Sequence, residues 1–358
     1  MKLTRQFAAF AALSTVTSVA LAAPKKPAPQ KPSAKATAPA SKTKLIREVL
    51  GTQQLSGYEG LLRQTFTIGK QLPLNFTLSS CEYSVGRVNI GGYAHIPKGD
   101  EKLLVLHFVV QNPTKKVVSF STSYLRFSAV DATGVTREYV GDIAREKTGE
   151  SVSLPLNPGQ KTEAKTAIRV AAYGTVPKLI VRHYYETNAP IIRYDLRNVA
   201  KKLNAPYADP SDANGATALK TIAAKVGVSY PVTDMFDAEL VKVEDQTAPL
   251  NGNTPEKGKK FSVATFIIRN KGPRRANLTQ AYFRADLKDA DGEKTNYNTW
   301  MLKGSRDEQV SNQLEPGEET KVRFFWAIPE DVEAKAVLLQ YGYDRESRTF
   351  AFEVPSTN

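Results

Sequence analysis

The chain has 358 residues and a formal net charge of +13, but nine of its 49 basic residues precede Glu48, the first of its 36 acids. From Glu48 onward the chain has 40 basic and 36 acidic residues, so this part carries a net charge of only +4. This distribution, with no surface that interleaves basic and aromatic residues, argues against nucleic-acid recognition. The single cysteine and the three histidines lack the close spacing of structural zinc ligands, and the histidines lack the H-E-x-x-H spacing of a catalytic site.

The first 44 residues are predicted to be a signal peptide and a disordered arm. Residues 1–22 combine Lys2 and Arg5 with a short apolar stretch and a cleavage site of small residues, as in exported proteins. Residues 23–44 are mainly Pro, Ala and Lys, with too few large apolar side chains to offset the entropy of ordering. We expect a basic spacer that an anionic surface would attract weakly. No later segment is apolar for long enough to span a bilayer.

The rest of the chain contains one unit twice. The stretch from Lys102 to Gly134 returns from Lys260 to Gly292, without a gap, at a constant shift of 158 residues. A stretch rich in Pro, Asp, Asn and Gly separates the copies and is predicted to be a linker. The predicted boundaries are 45–196 for the first copy, 197–217 for the linker and 218–358 for the second copy.

Each copy is predicted to be an antiparallel β-sandwich. The run from Leu103 to Val110 is nearly all apolar and rich in β-branched residues, as expected of a strand covered on both faces. Later strands alternate apolar and polar residues, and turn sequences follow them, such as Asp-Ala-x-Gly at Asp131 and Asp289. Short strands separated by turn signals favour a sandwich. The predicted fold is therefore all-β, with two tandem immunoglobulin-like sandwiches after a signal peptide and a disordered arm.

Three repeated motifs resemble those of a bacterial secreted immunoglobulin-like family. They are F-x-V/I-x-N at Phe108 and Phe266, the turn D-A-x-G, and L-x-P-G-x-x-T. The family is a domain of unknown function whose members are often exported antigens or lipoproteins, and the resemblance covers roughly Leu74 to Val354. It implies the fold and export, but no activity. The chain lacks the cysteine that follows the signal segment of lipoprotein members, so lipid anchoring is not carried over.

A tyrosine and an arginine stand two residues apart in each copy, as Tyr124 and Arg126 and again as Tyr282 and Arg284. Residues two apart on a strand share one face. An aromatic ring beside a planar cation suits contacts with carboxylates, aromatic groups or sugars. The alternative is an ordinary stabilising pair across neighbouring strands.

Further candidate contacts are two basic loops and one phenylalanine. Lys115 and Lys116 in the first copy, and Arg274 and Arg275 in the second, are suited to an anionic partner; the alternative is solvated hairpin tips. Phe325 is predicted to face away from the inner side of its strand, because its neighbours on both sides match inner positions of the first copy. It is therefore a candidate docking point between the copies.

The single cysteine, Cys81, lies in a predicted strand. The constant shift pairs it with Glu239, so we expect Cys81 to face outward as a free thiol. Such a thiol in an exported protein suggests an intermolecular disulfide or chemical reactivity. The alternative is a small, reduced and partly covered residue.

The sequence contains no set of catalytic, cofactor-binding or metal-ligating residues that we recognise. It has no G-x-S-x-G elbow, phosphate-binding loop or G-x-G-x-x-G fingerprint. The leading hypothesis is a non-enzymatic protein of the periplasm or cell envelope, or a secreted one, that binds an unknown protein or an envelope polymer. A second is a periplasmic carrier of a small ligand or metal with its site between the copies. A third is an enzyme with a distributed site near His95 or His183. A closed cleft between the copies, lined by converging polar side chains, would favour the carrier.

Overall fold

The computed structural model describes residues 56–295 and 300–354. The predicted signal peptide, the arm and residues 45–55 lie outside this part of the chain. The described residues form 26 strands and one 3-10 turn, η1 (Gln280–Tyr282). They contain no helix with the length and apolar character needed to cross a membrane. The predicted all-β fold class is confirmed.

The first sandwich contains fourteen strands: β1 (Gly57–Gly60), β2 (Thr65–Ile68), β3 (Leu74–Ser84), β4 (Val88–Ile90), β5 (Tyr93–His95), β6 (Glu101–Gln111), β7 (Val118–Ser121), β8 (Leu125–Val130), β9 (Thr136–Glu138), β10 (Ala144–Arg145), β11 (Ser153–Leu156), β12 (Lys161–Ala171), β13 (Lys178–His183) and β14 (Ile191–Asp195). Its two five-stranded sheets have the orders β1-β14-β13-β8-β9 and β10-β12-β6-β3-β2. The core lies between them, where the rings of Phe76, Phe108 and Phe127 pack with centroids 5.1 to 6.0 Å apart.

The second sandwich contains twelve strands: β15 (Thr221–Ala224), β16 (Ser229–Pro231), β17 (Phe236–Gln246), β18 (Lys259–Asn270), β19 (Ala276–Thr279), β20 (Phe283–Asp289), β21 (Lys294–Thr295), β22 (Met301–Lys303), β23 (Ser311–Leu314), β24 (Glu319–Pro329), β25 (Ala334–Tyr341) and β26 (Thr349–Glu353). Its two five-stranded sheets have the orders β15-β26-β25-β20-β21 and β16-β17-β18-β24-β22. Phe266, Phe324 and Phe352 fill its core.

The sheets of the second sandwich repeat the strand order of the first, and the two main cores are separate clusters of buried residues. Tyr207 packs against both clusters. Most strand pairs are antiparallel, as predicted. The outermost pair in one sheet of each sandwich is instead parallel, β1 with β14 and β15 with β26.

Cys81 faces the core, so the predicted outward orientation is wrong. Strand β3 contains a bulge between Leu78 and Ser80, opposite β6. The extra residue of a bulge exchanges the faces on which later side chains lie. Cys81 is consequently only 2% exposed, and its thiol is unpaired. Burial, reinforced by the nearby Glu82 carboxylate, raises the pKa of the Cys81 thiol to about 12.

The error came from the assumption of a constant shift. In the first sandwich Cys81 pairs with Leu106 of the neighbouring strand. In the second sandwich Val243 pairs with Ala264, which is the repeat partner of Leu106. The structural counterpart of Cys81 is therefore Val243 rather than Glu239. Along this strand the repeat is shifted by 162 residues instead of 158.

Phe325 is also buried, so its predicted place as a docking point between the copies is wrong. It lies on the opposite side of β24 from Trp326, as the alternation indicated, but only 6% of it is exposed. Leu250 and Leu302 of the same sandwich cover it and form a small second core. The ring of Phe261 packs edge-on against it, with centroids 5.2 Å apart.

The segment predicted as a linker pairs with the first sandwich. The amide of Tyr83 donates to the Lys201 carbonyl at 3.0 Å, and the amide of Lys201 donates to the Cys81 carbonyl at 2.9 Å. Backbone hydrogen bonds therefore hold this part of residues 197–217 beside strand β3.

A buried lysine fastens a later part of the same segment. The ammonium group of Lys102 donates to the carbonyls of Ala172, at 3.1 Å, of Gly174 and of Ala216. It lies 4.5 Å from the centroid of the Tyr83 ring. No part of Lys102 is exposed, and burial lowers the pKa of its ammonium group to about 8.

Candidate functional site in the cleft between the sandwiches

A cavity of about 350 Å³ lies between the two sandwiches. Its size falls within the range of small-molecule sites, which combine apolar walls with a few converging polar groups. The first sandwich contributes Val85, Ala94, Ile96, Pro97, Lys98, Glu101 and Arg169. The second contributes Pro231, Val232, Asp234, Tyr341, Asp344, Ser347, Arg348 and Phe350.

Close backbone contact brings the two walls together beside this cavity. The amide of Gly99, just before β6, donates to the carbonyl of Glu346, in the turn between β25 and β26, at 2.7 Å. A Cβ atom at Gly99 would lie 2.9 Å from that carbonyl oxygen, closer than side chains normally approach. Glycine therefore permits the contact. The ammonium group of Lys98 forms an ion pair with the Glu346 carboxylate at 2.5 Å.

Arg87 provides a second contact between the sandwiches. Its guanidinium donates to the carbonyls of Thr233, at 2.8 Å, and of Asp234, at 2.7 Å. It also forms an ion pair with Asp237 at 2.8 Å, and its side chain is only 7% exposed. Removing one partner of such a covered pair is costly, because the other charge stays buried.

Arg348 is the most deeply buried charged group of the cavity lining, with only 4% exposed. Its Nε donates to the carbonyl of Leu219 at 2.7 Å, and its Nη2 donates to the carbonyls of Glu101, at 2.9 Å, and Gly99, at 3.4 Å. Its Nη1 is buried without a hydrogen-bond partner among the described residues. Burial lowers the pKa of Arg348 to about 10.

Asp234 and Tyr341 lie together on the second sandwich's side of the cavity. Burial, and then the nearby Asp234 carboxylate, raise the pKa of the Tyr341 hydroxyl. The Oδ1 of Asp234 is buried and has no hydrogen-bond partner within residues 56–295 and 300–354. Arg348 and Asp234 both line the cavity, and each has one buried polar atom without a hydrogen-bond partner in the described part of the chain.

The predicted pair Tyr282 and Arg284 is divided between two environments. The Tyr282 ring stacks on Tyr341 with centroids 6.3 Å apart, and it meets Tyr343 edge-on at 5.3 Å. Tyr282 therefore supports a residue of the cavity wall. Arg284 is half exposed and lies 3.4 Å from Asp286 in an ion pair.

The corresponding pair in the first sandwich belongs to an aromatic cluster. Tyr124 packs against His183 and Tyr185, with both centroid distances at 5.7 Å. Arg126 lies 3.9 Å from the centroid of the Tyr184 ring. These contacts support the stabilising alternative for Tyr124 and Arg126.

Lys115 and Lys116 are exposed on a loop that a buried asparagine organises. The Asn112 side-chain amide donates to the carbonyls of Lys116, at 2.7 Å, and Leu156, at 2.8 Å. Asn112 is fully buried, so the asparagine of the repeated F-x-V/I-x-N motif fixes a loop.

Asn270 plays the same part in the second sandwich, where its side chain donates to the carbonyl of Arg274 at 3.0 Å. The Arg274 guanidinium lies 5.2 Å from the ring centroid of Tyr93, which belongs to the first sandwich. Arg275 forms an exposed ion pair with Glu315 at 3.2 Å. Both arginines already have partners within the chain.

The two histidines considered for a distributed active site have different surroundings. The Nδ1 of His95 lies 3.4 Å from the Arg169 guanidinium, whereas His183 is buried against Tyr124. Burial lowers the pKa of both rings. Within the described part of the chain, no three His, Cys, Asp or Glu side chains are grouped to hold a metal ion.

No protein-family model and no curated protein matches this chain. An uncharacterised β-sandwich protein from Clostridium difficile is 14% identical with a TM-score of 0.27, over 38% of this chain and 96% of that chain. The secreted protein MPT63 of Mycobacterium tuberculosis is 16% identical with a TM-score of 0.28, over 39% of this chain and 97% of that chain. An exo-chitosanase of Amycolatopsis orientalis is 16% identical with a TM-score of 0.19, over 70% of this chain and 25% of that chain. Likenesses this low carry no functional argument, and the fold class rests on the sheets themselves.

Proposed function

We propose that this chain is an exported, non-enzymatic binding protein of the bacterial envelope, built from two tandem immunoglobulin-like sandwiches. The signal-peptide pattern of residues 1–22 and the resemblance to a secreted immunoglobulin-like family support export. The lack of recognised catalytic motifs supports a binding role. The proposed domains span residues 45–196 and 218–358, and the arm of residues 23–44 is a spacer with weak attraction to anionic surfaces.

We place the binding site in the cleft and propose a small ligand for it. The observation that carries this proposal is the buried Arg348 guanidinium, which lines the cavity and has an unsatisfied Nη1. A buried polar group without a partner is costly, so it is a group that a ligand can satisfy. The cleft thus favours the carrier hypothesis over one based on exposed surface contacts. Of the candidate surface residues, Phe325 is buried and Arg275 is paired within the chain.

The test is native mass spectrometry of protein purified from the envelope fraction of an exporting host. An Ala94→Trp variant would fill the cavity, while an Ala290→Trp variant adds the same ring to an exposed turn. We expect a small molecule to remain bound to the wild type and to Ala290→Trp, but not to Ala94→Trp.

Two results would contradict the proposal. One is retention of the same molecule by Ala94→Trp, which would place the site elsewhere. The other is turnover of a hydrolase or redox substrate by the purified protein, abolished by substitution of one polar residue, which would make it an enzyme.

A further inference from the structure

We infer that the ligand of this cleft carries one anionic group, a carboxylate or a phosphate, that binds between Arg348 and Arg169. This inference rests on the proposed function, because it assigns a chemical class to the ligand of the same site. It depends on the charges that line the cavity and on the partners that each of them has.

Arg348 is a buried cation, and the nearby Asp100 carboxylate offsets only part of the pKa lowering that burial causes. Three carbonyls hold two of its nitrogens, but a carbonyl is neutral and does not compensate the positive charge. Among the described residues, no carboxylate forms an ion pair with it. A buried guanidinium in this condition has much to gain from a planar anion, since its fork matches carboxylate and phosphate oxygens.

Arg169 adds a second positive group to the lining, from the first sandwich. It projects from β12 of the first sandwich, is exposed, and has the His95 ring as its neighbour at 3.4 Å. No ion pair is formed by Arg169 within the described ranges. Lys98, the third cation of the lining, is already paired with Glu346. The two arginines, one from each sandwich, are therefore the cations of the lining that no ion pair among the described residues occupies.

The carboxylates of the lining limit the ligand to a small charge. Asp344 accepts the amide of Glu346 at 3.0 Å, and Glu101 lies 3.4 Å from the amide of Lys98. Asp234 lies beside the Tyr341 hydroxyl. These three carboxylates would repel a polyanion. They can, however, accept hydrogen bonds from hydroxyl or amino groups of a ligand that has one anionic end. Apolar residues such as Ile96 and Phe350 also line the cavity, so a short apolar part of the ligand can pack against them.

Isothermal titration calorimetry with inorganic phosphate and with butyrate tests this inference on the mature chain and separates the two kinds of anion. We expect saturable binding of at least one of them to the wild type. Arg348→Met should weaken that binding at least 30-fold, as expected for loss of a buried charge partner, and Arg169→Met about 5-fold. Arg345→Met removes the same charge from an exposed position in the neighbouring turn and should leave the affinity within twofold.

Several outcomes would overturn the inference. One is that the wild type binds neither phosphate nor butyrate. Another is that the Arg169→Met and Arg345→Met variants bind the anion with equal affinity. If circular dichroism shows that Arg348→Met is unfolded, the Arg169→Met comparison decides. If the molecule bound to the wild type is neutral and is absent from Ala94→Trp, the inference of an anionic ligand is wrong, but the proposed binding function stands. Retention of a bound molecule by Ala94→Trp would instead refute the cleft as the site.

Discussion

The buried ammonium group of Lys102 should make stability depend on pH in a defined direction. Burial lowers its pKa to about 8, from the ordinary value of 10.5 that applies in the unfolded chain. Below pH 8 both states bind the proton, and the full cost of burying the charge is present. Between pH 8 and 10.5 the folded state loses the proton first, so the free energy of unfolding rises with pH.

The magnitude follows from the two pKa values. A tenfold difference in proton affinity corresponds to about 1.4 kcal/mol, so the complete effect is about 3 kcal/mol. Roughly 2.5 kcal/mol of this should develop between about pH 7 and pH 10. A Lys102→Met variant lacks the titrating group and should not show this gain, whatever the cost of leaving the carbonyls of Ala172, Gly174 and Ala216 without a donor.

Urea denaturation of the wild type and of Lys102→Met at pH 7 and pH 10 measures the effect. The difference between the two proteins is the relevant quantity, because other groups that titrate in this range contribute equally to both. Lys115→Met, at an exposed position, should follow the wild type at both pH values. An unchanged difference between the wild type and Lys102→Met from pH 7 to pH 10 would refute the argument.

Three further results are expected. Cys81 should resist a thiol reagent in the folded protein and react only after unfolding. The protein should also run as a monomer on non-reducing gels. Rapid reaction of the folded protein would show that the Cys81 side chain is accessible. Asn112→Ala should destabilise the protein by about 3 kcal/mol, because its buried side chain makes four hydrogen bonds, whereas the exposed Ser119→Ala should stay within about 0.5 kcal/mol. Phe325→Ala should cost about 3 kcal/mol in denaturant melts, and a loss near zero would mean that the second small core contributes little.

The strand pattern was predictable because it depends on local signals. Alternation of apolar and polar residues and the repeated turn sequences are visible within a few positions of each other, and the structure has the predicted all-β fold. The F-x-V/I-x-N motif also stood out by repetition. Its function in the fold appeared only with the contacts of Asn112 and Asn270, which fix the loop after the strand.

Features that depend on register or on distant partners were not predictable in this way. One additional residue at the bulge in β3 placed Cys81 inside, and nothing in the local pattern marks that bulge. Coverage of Phe325 came from Leu250 and Leu302, which lie 75 and 23 positions earlier in the chain. For Phe325 the alternation gave the correct side of the strand but not the residues that cover that side, whereas for Cys81 the bulge reversed the alternation itself.

The central residue of the candidate site was missed for the same reason. The carbonyls that hold Arg348 are 129 and 247 positions away along the chain, at Leu219 and Glu101. The one available signal was that Arg348 is a charged residue where the shift of 158 residues places Pro190 in the first copy. A charge confined to one copy, next to a buried strand, is the kind of departure from a repeat that deserves testing.

The most direct test of the cleft is a crystal structure of the protein purified from envelope extract with its ligand retained. We predict electron density for a small molecule between the sandwiches, in contact with the guanidinium of Arg348. A ligand bound instead on an outer surface, for example at the Lys115 and Lys116 loop, with the cleft closed to it, would contradict the account.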